Sequence, residues 1–284
     1  MAIKSAGRLF NNWMIRHLPS PVYHALGRGY FRFLHRHRDA EGKPPRHLSF
    51  VYGFDPGFDH LGEEFVDYFI RFCALQPDQR VLDIGCGIGR CAIPLTRFLS
   101  TKGEYRGFDI RRDGIEWCQK NIESRFPNFR FQCINLANPT YHPAGEELAD
   151  QFSFPYEDAY FDLVFSKSVF THLQSTIVER YLGETKRVLK PGGSCLHTFF
   201  LLTPAARSGL DAGTSQFDFR YPVPHGAAVS RSEPEKAIAF EETYVREVYS
   251  QAGLEIIEPI HYGCWSGAGK GLSGQDIVIA RKLS

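Results

Sequence analysis

No two cysteines in this chain stand in a C-x-x-C pair. The seven, Cys73, Cys86, Cys91, Cys118, Cys133, Cys195 and Cys264, are odd in number and scattered. That pattern argues against a thiolate metal site and against a disulfide scaffold, so free thiols in a reducing compartment and no bound metal are expected. Long apolar runs are also missing. No stretch approaches eighteen uninterrupted apolar residues, and the N-terminus lacks the apolar core of a signal peptide, so a cytoplasmic chain without a membrane span is expected. Charge of one sign is absent overall: 33 Lys and Arg against 32 Asp and Glu leave +1, too little for bulk attraction to nucleic acid, and no nucleic-acid partner is expected. There is no internal repeat and no low-complexity tract.

What is present is enough apolar material for one full core, 43% of 284 residues, in the range of a single α/β unit with insertions. Its most informative stretch runs from Val81 to Arg90. An apolar strand ends in Asp83-Ile84 and enters Gly85-Cys86-Gly87-Ile88-Gly89. Glycines at alternate positions serve a tight turn that needs positive φ and lets a ligand approach the backbone. In a dinucleotide fingerprint the third glycine would fall at Arg90, so that pattern fails; no Gly-Lys-Ser/Thr follows, so a phosphate-binding P-loop fails too. A second strand, 105–110, ends in Asp109, about twenty residues past the glycines, the offset at which a carboxylate can accept ribose hydroxyls.

Further landmarks follow in order: Phe154-Pro155-Tyr156 with an acidic turn before the apolar Phe161 to Ser166, then Arg187-Val188-Leu189-Lys190-Pro191-Gly192-Gly193 before another apolar strand. Together these resemble class I S-adenosylmethionine (SAM)-dependent methyltransferases from about Phe65 to Lys282. The resemblance implies SAM as cofactor and S-adenosylhomocysteine as product. It assigns Asp83, Gly85, Cys86, Gly87 and Gly89 to the cofactor turn, Asp109 to the ribose, Ile110 to the adenine face, and Asn135, just past the third strand, to the adenine amino group. Ser166 and Phe170 complete the cofactor set, Phe170 as a lining for the sulfonium with a weak cation–π contact. The Asn-Pro-Pro-aromatic motif that the family uses on exocyclic amines is absent here, as is the acid trio of its magnesium-dependent members.

Alternating strand and helix patterns predict a Rossmann-like, seven-stranded, mostly parallel sheet with helices on both faces; the resemblance adds that the last strand is antiparallel. The expected order is a helix at 59–74 with an apolar face of Phe65, Val66, Phe69, Ile70 and Cys73, strands at 80–84, 105–110, 129–134, 161–165 and 194–201, helices at 90–100, 112–125, 169–189 and 241–252, and final strands at 254–261 and 275–282.

Three segments fall outside that framework. Residues 1–58 form a basic N-terminal extension ahead of a methyltransferase domain at 59–284. Residues 1–48 carry nine Lys and Arg against Asp39 and Glu41, and apolar residues recur there at helical spacing from Leu9 to Leu34. Such a segment either caps the domain or lies peripherally on an anionic membrane surface, here the inner face. The insertion at about 203–240, with Arg220, Tyr221 and His225, reads as a lid over the acceptor. Residues 263–274 join the last two strands, and their Trp265 either stacks on the acceptor or plugs the sheet edge.

A hydroxyl acceptor needs a base, and His172, just beyond the fourth strand in Ser-Val-Phe-Thr-His-Leu, is the candidate; its alternative is packing within its own helix. That run resembles bacterial methyltransferases of glycan and secondary-metabolite pathways. The expected reaction is therefore O-methylation of a saccharide, glycolipid or related metabolite, the acceptor being a small molecule, glycan or lipid-linked. N-methylation of a small amine and a non-catalytic SAM-binding partner are the alternatives.

Overall fold

A computed structural model describes residues 44–45, 48–49, 58–139 and 141–283, and the chain divides into two units, Met1–Phe58 and Asp59–Ser284. The amphipathic pattern expected from Leu9 to Leu34 and the choice between cap and membrane contact lie outside the described residues. Within the first unit the amides of Leu48 and Ser49 both donate to the Pro45 carbonyl, at 2.9 and 3.0 Å.

The second unit is built on a sheet of seven strands: β1 (Arg80–Ile84), β2 (Glu104–Asp109), β3 (Phe129–Cys133), β4 (Phe161–Ser166), β5 (Leu189–Phe199), and, after the insertion, β10 (Leu254–Ile256) and β11 (Asp276–Lys282). Their spatial order is β10-β11-β5-β4-β1-β2-β3. β1, β2, β3, β4 and β5 pair in parallel, and β11 runs antiparallel between β5 and β10. The central strands are apolar on both faces because helices cover both. One face packs Val81, Phe165, Leu196 and Ile277 against α1 (Phe58–Cys73), α2 (Ala92–Phe98) and α3 (Arg112–Cys118). The other packs Leu82, Val164 and Phe199 against α4 (Ser175–Val188) and α6 (Glu242–Gln251).

Several boundaries differ from expectation for local reasons. The helix after β2 is α only to Cys118 and then widens into a π turn at Gln119–Glu123; its Ile122 and Cys118 stand where a Cβ on Gly89 would fall. β5 begins at Leu189, with a register shift against β4 that takes up the Pro191-Gly192-Gly193 run. The strand expected at 254–261 ends at Ile256, and only a single bridge, His261 to Ile277, rejoins it to the edge. On α1 the buried stripe is Phe65, Val66, Tyr68 and Phe69, whereas Ile70 is exposed. Gly62 on the same helix meets the Arg90 carbonyl so closely that a Cβ would lie 2.3 Å from the oxygen.

The insertion read as a lid is folded into elements of its own. After β5 the chain continues through β6 (Leu201–Leu202) into α5 (Pro204–Asp211), whose Thr203 side chain caps the Ala206 amide at 3.0 Å. A hairpin of β7 (Tyr221–Val223) and β8 (Gly226–Ala228), then β9 (Ile238–Glu241), complete a second sheet in the order β6-β9-β8-β7. Its strands are two to four residues long, too short for a period-2 pattern to register.

Inside the α4/α6 face, His197 on β5 is fully buried, its Nδ1 lies 2.8 Å from Ser166 Oγ, and Nε2 has no hydrogen-bond partner. Burial pushes the imidazole pKa down to about 3. An unfolded histidine protonates near 6.5, so below that pH the unfolded state binds the extra proton and stability is lost at about 1.4 kcal/mol per pH unit until the folded pKa is reached. Asp83 works in the opposite direction: burial raises its carboxyl to about 7, so its contribution grows as pH falls from 7 towards the ordinary carboxylate range. Unfolding free energies of wild type and His197→Gln from pH 6.5 to 4.5 separate the two. Wild type should lose about 1.4 kcal/mol per unit relative to the variant; parallel curves would mean that His197 is not held neutral.

Candidate functional site

The carboxyl ends of β1 and β2 are locked together by the glycine turn. Gly85, Gly87 and Gly89 have φ of +73°, +56° and +73°, the left-handed region that a Cβ penalises. The amides of Gly85 and Cys86 donate to the Phe108 carbonyl at 2.9 and 3.0 Å. The Gly87 amide donates to Asp109 Oδ2 at 2.8 Å, and the Arg111 amide to Asp109 Oδ1 at 2.9 Å. Burial pushes the Asp109 pKa up, and the two amide hydrogen bonds oppose it. A carboxylate has about four acceptor positions, so lone pairs remain on both oxygens for further donors. Ile110 beside it is half-buried against the core, and Asn135, beyond β3, is exposed while its backbone carbonyl accepts from Glu146 and Glu147 at 3.0 Å each.

The loop after β4 closes on this turn. Ser168 has φ of +57°, and is held there by its amide to Thr198 Oγ1 at 2.8 Å and its hydroxyl to Gln275 Oε1 at 2.9 Å. The next residue, Val169, places Cγ2 where a Cβ on Gly85 would fall. A 3-10 turn, Phe170–His172, follows and packs against β9 and the insertion's own 3-10 turn, Pro234–Lys236. His172 Nδ1 lies 2.8 Å from the Glu235 carbonyl oxygen and 3.2 Å from the Tyr141 hydroxyl. A carbonyl only accepts, so Nδ1 carries the proton and Nε2 is the basic nitrogen. Burial pushes the His172 pKa down, backbone hydrogen bonds to Glu235 and Lys236 opposing it, and the ring is neutral near pH 7.

Other expected site residues lie elsewhere. Ser166 is 0% exposed and turned to His197, and Phe170 is 0% exposed, stacked on His197 at 4.5 Å between centroids; neither side chain faces an open cofactor edge. Asp83 is 3% exposed and accepts the Tyr105 hydroxyl at 2.6 Å, so it supports the turn from within the core. Cys86 is likewise buried, its side chain filling the space that a Cβ on Gly107 would need. Trp265 is 1% exposed, packed on Phe200 and Phe219, with Nε1 donating to Asp276 Oδ2 at 2.8 Å; it plugs the sheet edge and offers no face to an acceptor. His225, at the exposed tip of the β7–β8 hairpin, lies flat on Tyr244 with 4.2 Å between centroids. Tyr221 is half-buried on β7, and exposed Arg220 pairs with Asp218. Of all these, the structure brings together Asp109 with the glycine turn, and His172 with Tyr141 and Glu235. Tyr141, Glu235 and Gly107 went unnoticed in the sequence because they sit in no periodic or glycine-spaced pattern.

Residues 82–197 match a family model described as a methyltransferase domain. The chain is 30% identical over 162 residues to phthiotriol/phenolphthiotriol dimycocerosates methyltransferase 1 of Mycobacterium ulcerans, covering 56% of this chain and 50% of the relative. It is 30% identical over 138 residues to 27-O-demethylrifamycin SV methyltransferase of Amycolatopsis mediterranei, covering 49% and 44%. The chain thus spans about half the length of these curated relatives. In fold it is similar to a SAM-dependent methyltransferase from Aquifex aeolicus, with a TM-score of 0.51, 18% identity, and 81% and 94% of the two chains covered. The donor set suits a ribosyl sulfonium ligand: a carboxylate with lone pairs to spare, a glycine turn beside it, and an exposed amide at Asn135 on the neighbouring strand end. Removing the Asp109 acceptor should weaken binding of S-adenosylhomocysteine by about 10- to 100-fold, the worth of one charged hydrogen bond or two. Calorimetric titration of Asp109→Ala against wild type checks this, and unchanged affinity would remove Asp109 from the site. Residues 82–197 thus match a methyltransferase domain, the fold around them is that of a SAM-dependent methyltransferase, and SAM is the cofactor that match and fold support.

Proposed function

We propose that this protein transfers the methyl group of SAM to a hydroxyl of a saccharide, glycolipid or related metabolite, with His172 as general base. The observation that carries the reading is the His172 tautomer. With Nδ1 committed to the Glu235 carbonyl at 2.8 Å, the ring holds its lone pair on Nε2, and burial keeps it unprotonated. An alcohol is a poor nucleophile near neutral pH unless its proton is taken as it attacks, and a neutral imidazole nitrogen is suited to that task. The loop that carries His172 also supplies Val169 against Gly85, so base and cofactor turn share one edge. When bound, SAM supplies the electrophilic methyl; the protein aligns the hydroxyl with it and removes the proton at Nε2. An oxygen acceptor is also in keeping with the relative named for 27-O-demethylrifamycin SV, and a lipid-like acceptor with the phthiotriol dimycocerosates enzyme.

Among the described residues no helix is long and apolar enough to cross a membrane. The local excess of nine basic over two acidic residues in 1–48 supports peripheral contact with anionic lipid, where a lipid-linked acceptor would be met.

His172→Ala should lower turnover on a hydroxylated acceptor by about a hundredfold or more while SAM affinity stays nearly unchanged. An undiminished rate would remove His172 as the base, and joint loss of rate and affinity would make His172 structural. Sedimentation with anionic vesicles should show salt-sensitive binding of the full chain that disappears when residues 1–48 are deleted. Equal binding by the truncated chain would sink the surface role.

A further inference from the structure

The residue that fixes the His172 tautomer belongs to the insertion, and it is gripped twice. His172 Nδ1 donates to the Glu235 backbone carbonyl at 2.8 Å, and two residues further on Gln174 Nε2 donates to Glu235 Oε1 at 2.7 Å. Gln174 occupies the N-cap position of α4 with an extended backbone, but its side chain makes no capping hydrogen bond; its amide is spent on Glu235. The Glu235 side chain is only 6% exposed, and burying a carboxylate is costly unless a donor compensates it. Gln174 is such a donor. The turn that presents Glu235 is itself braced: Pro234 opens it, the Lys236 amide donates to the Glu233 carbonyl at 3.1 Å, Lys236 Nζ pairs with Glu233 Oε2 at 2.8 Å, and Ser230 Oγ receives the Glu233 amide at 3.2 Å.

We propose that Glu235 is a positioning residue for the base: Gln174 clamps its carboxylate so that its backbone carbonyl stays on His172 Nδ1 and directs the imidazole lone pair to Nε2. This rests on the reading of His172 as base. A single hydrogen bond to a carbonyl on an insertion turn would let the ring rotate or exchange tautomers as the insertion moves. A second contact to the same residue, from Gln174 at the N-cap of α4, removes that freedom. The insertion thereby does more than cover an acceptor, because it supplies the acceptor atom that sets which imidazole nitrogen is basic.

The test reads the tautomer directly and needs no acceptor. Long-range proton–nitrogen NMR spectra of the 15N-labelled full-length protein at about pH 8, where an ordinary imidazole is neutral, report which ring nitrogen of His172 carries the proton; His172→Gln assigns the resonance. Wild type should show a slowly exchanging Nδ1–H signal. Glu235→Ala and Gln174→Ala should each lose it, and Glu235→Gln, which retains an oxygen for Gln174, should keep it. Circular dichroism and S-adenosylhomocysteine titration establish that each variant is folded, and Gln174→Ala, a change at an exposed position, carries the test should Glu235→Ala fail to fold. Persistence of the Nδ1–H signal in folded Gln174→Ala would overturn the clamp, as would its absence from wild type. Loss of the signal in the alanine variants, combined with full turnover in His172→Ala, would leave the clamp standing and remove the base.

Discussion

The Asp109 carboxylate is the point on which the ligand edge depends. It accepts the Gly87 amide with one oxygen and the Arg111 amide with the other, so the turn leaving β1 and the turn leaving β2 are tied by a single side chain. The parallel register places Asp83 opposite Gly107, and the Gly85-to-Gly89 turn then bends over the end of β2. That bend has steric consequences. Gly107 has no Cβ because the Cys86 side chain occupies the space, and Gly85 has none because Val169 does. Three strand ends, β1, β2 and β4, are thus interlocked through contacts that tolerate no added methyl group, which accounts for glycine in both the turn and the neighbouring strand.

A second buried carboxylate plays the corresponding part at the other edge. Asp276, at the start of β11, accepts from the Gly263 amide at 2.6 Å, the Leu201 amide at 2.7 Å and Trp265 Nε1 at 2.8 Å. Burial raises its pKa to about 6 against these donors, and a buried charge of this kind is tolerable only when so fully bonded. The three donors come from the 263–274 connection and from β6, so one side chain joins the main sheet to the second sheet. Trp265 is recruited to this joint, and its ring fills the small core beside Phe200 and Phe219.

The sequence disclosed the features with one-dimensional signatures. Alternate glycines after an apolar strand, an acid at the end of the next strand, and alternating apolar and amphipathic runs led to the seven-stranded, mostly parallel sheet and to Asp109 at the end of β2. Features that depend on which way a side chain faces were not legible. Ser166 follows Phe165 on β4, and strand alternation sends it to the α4/α6 face, where the register sets it opposite His197; that partnership appears only once the strands are paired. Phe170 and Trp265 looked like ligand platforms because aromatic residues near a sheet edge can be either exposed or buried, and composition does not distinguish the two. The second sheet escaped notice because its strands, two to four residues long, are too short for a period-2 pattern to register, and Glu235 because an acid in a Pro-containing turn resembles any solvated loop charge.

The joint between sheet and insertion bears on how acceptor choice and chemistry are related. In many α/β proteins the scaffold carries the reactive groups and the loops carry selectivity. Here the proposed base stands on the scaffold loop after β4, but the atom that sets its tautomer stands on the insertion. The insertion is in turn anchored at β6 by Asp276 and at Glu235 by Gln174. A change that reshaped the insertion for a different acceptor would shift the Glu235 carbonyl unless both anchors were preserved. Under the proposal that His172 is the base, rate and selectivity are coupled by geometry at the Pro234–Lys236 turn, and substitutions that alter one without the other must leave that turn in place.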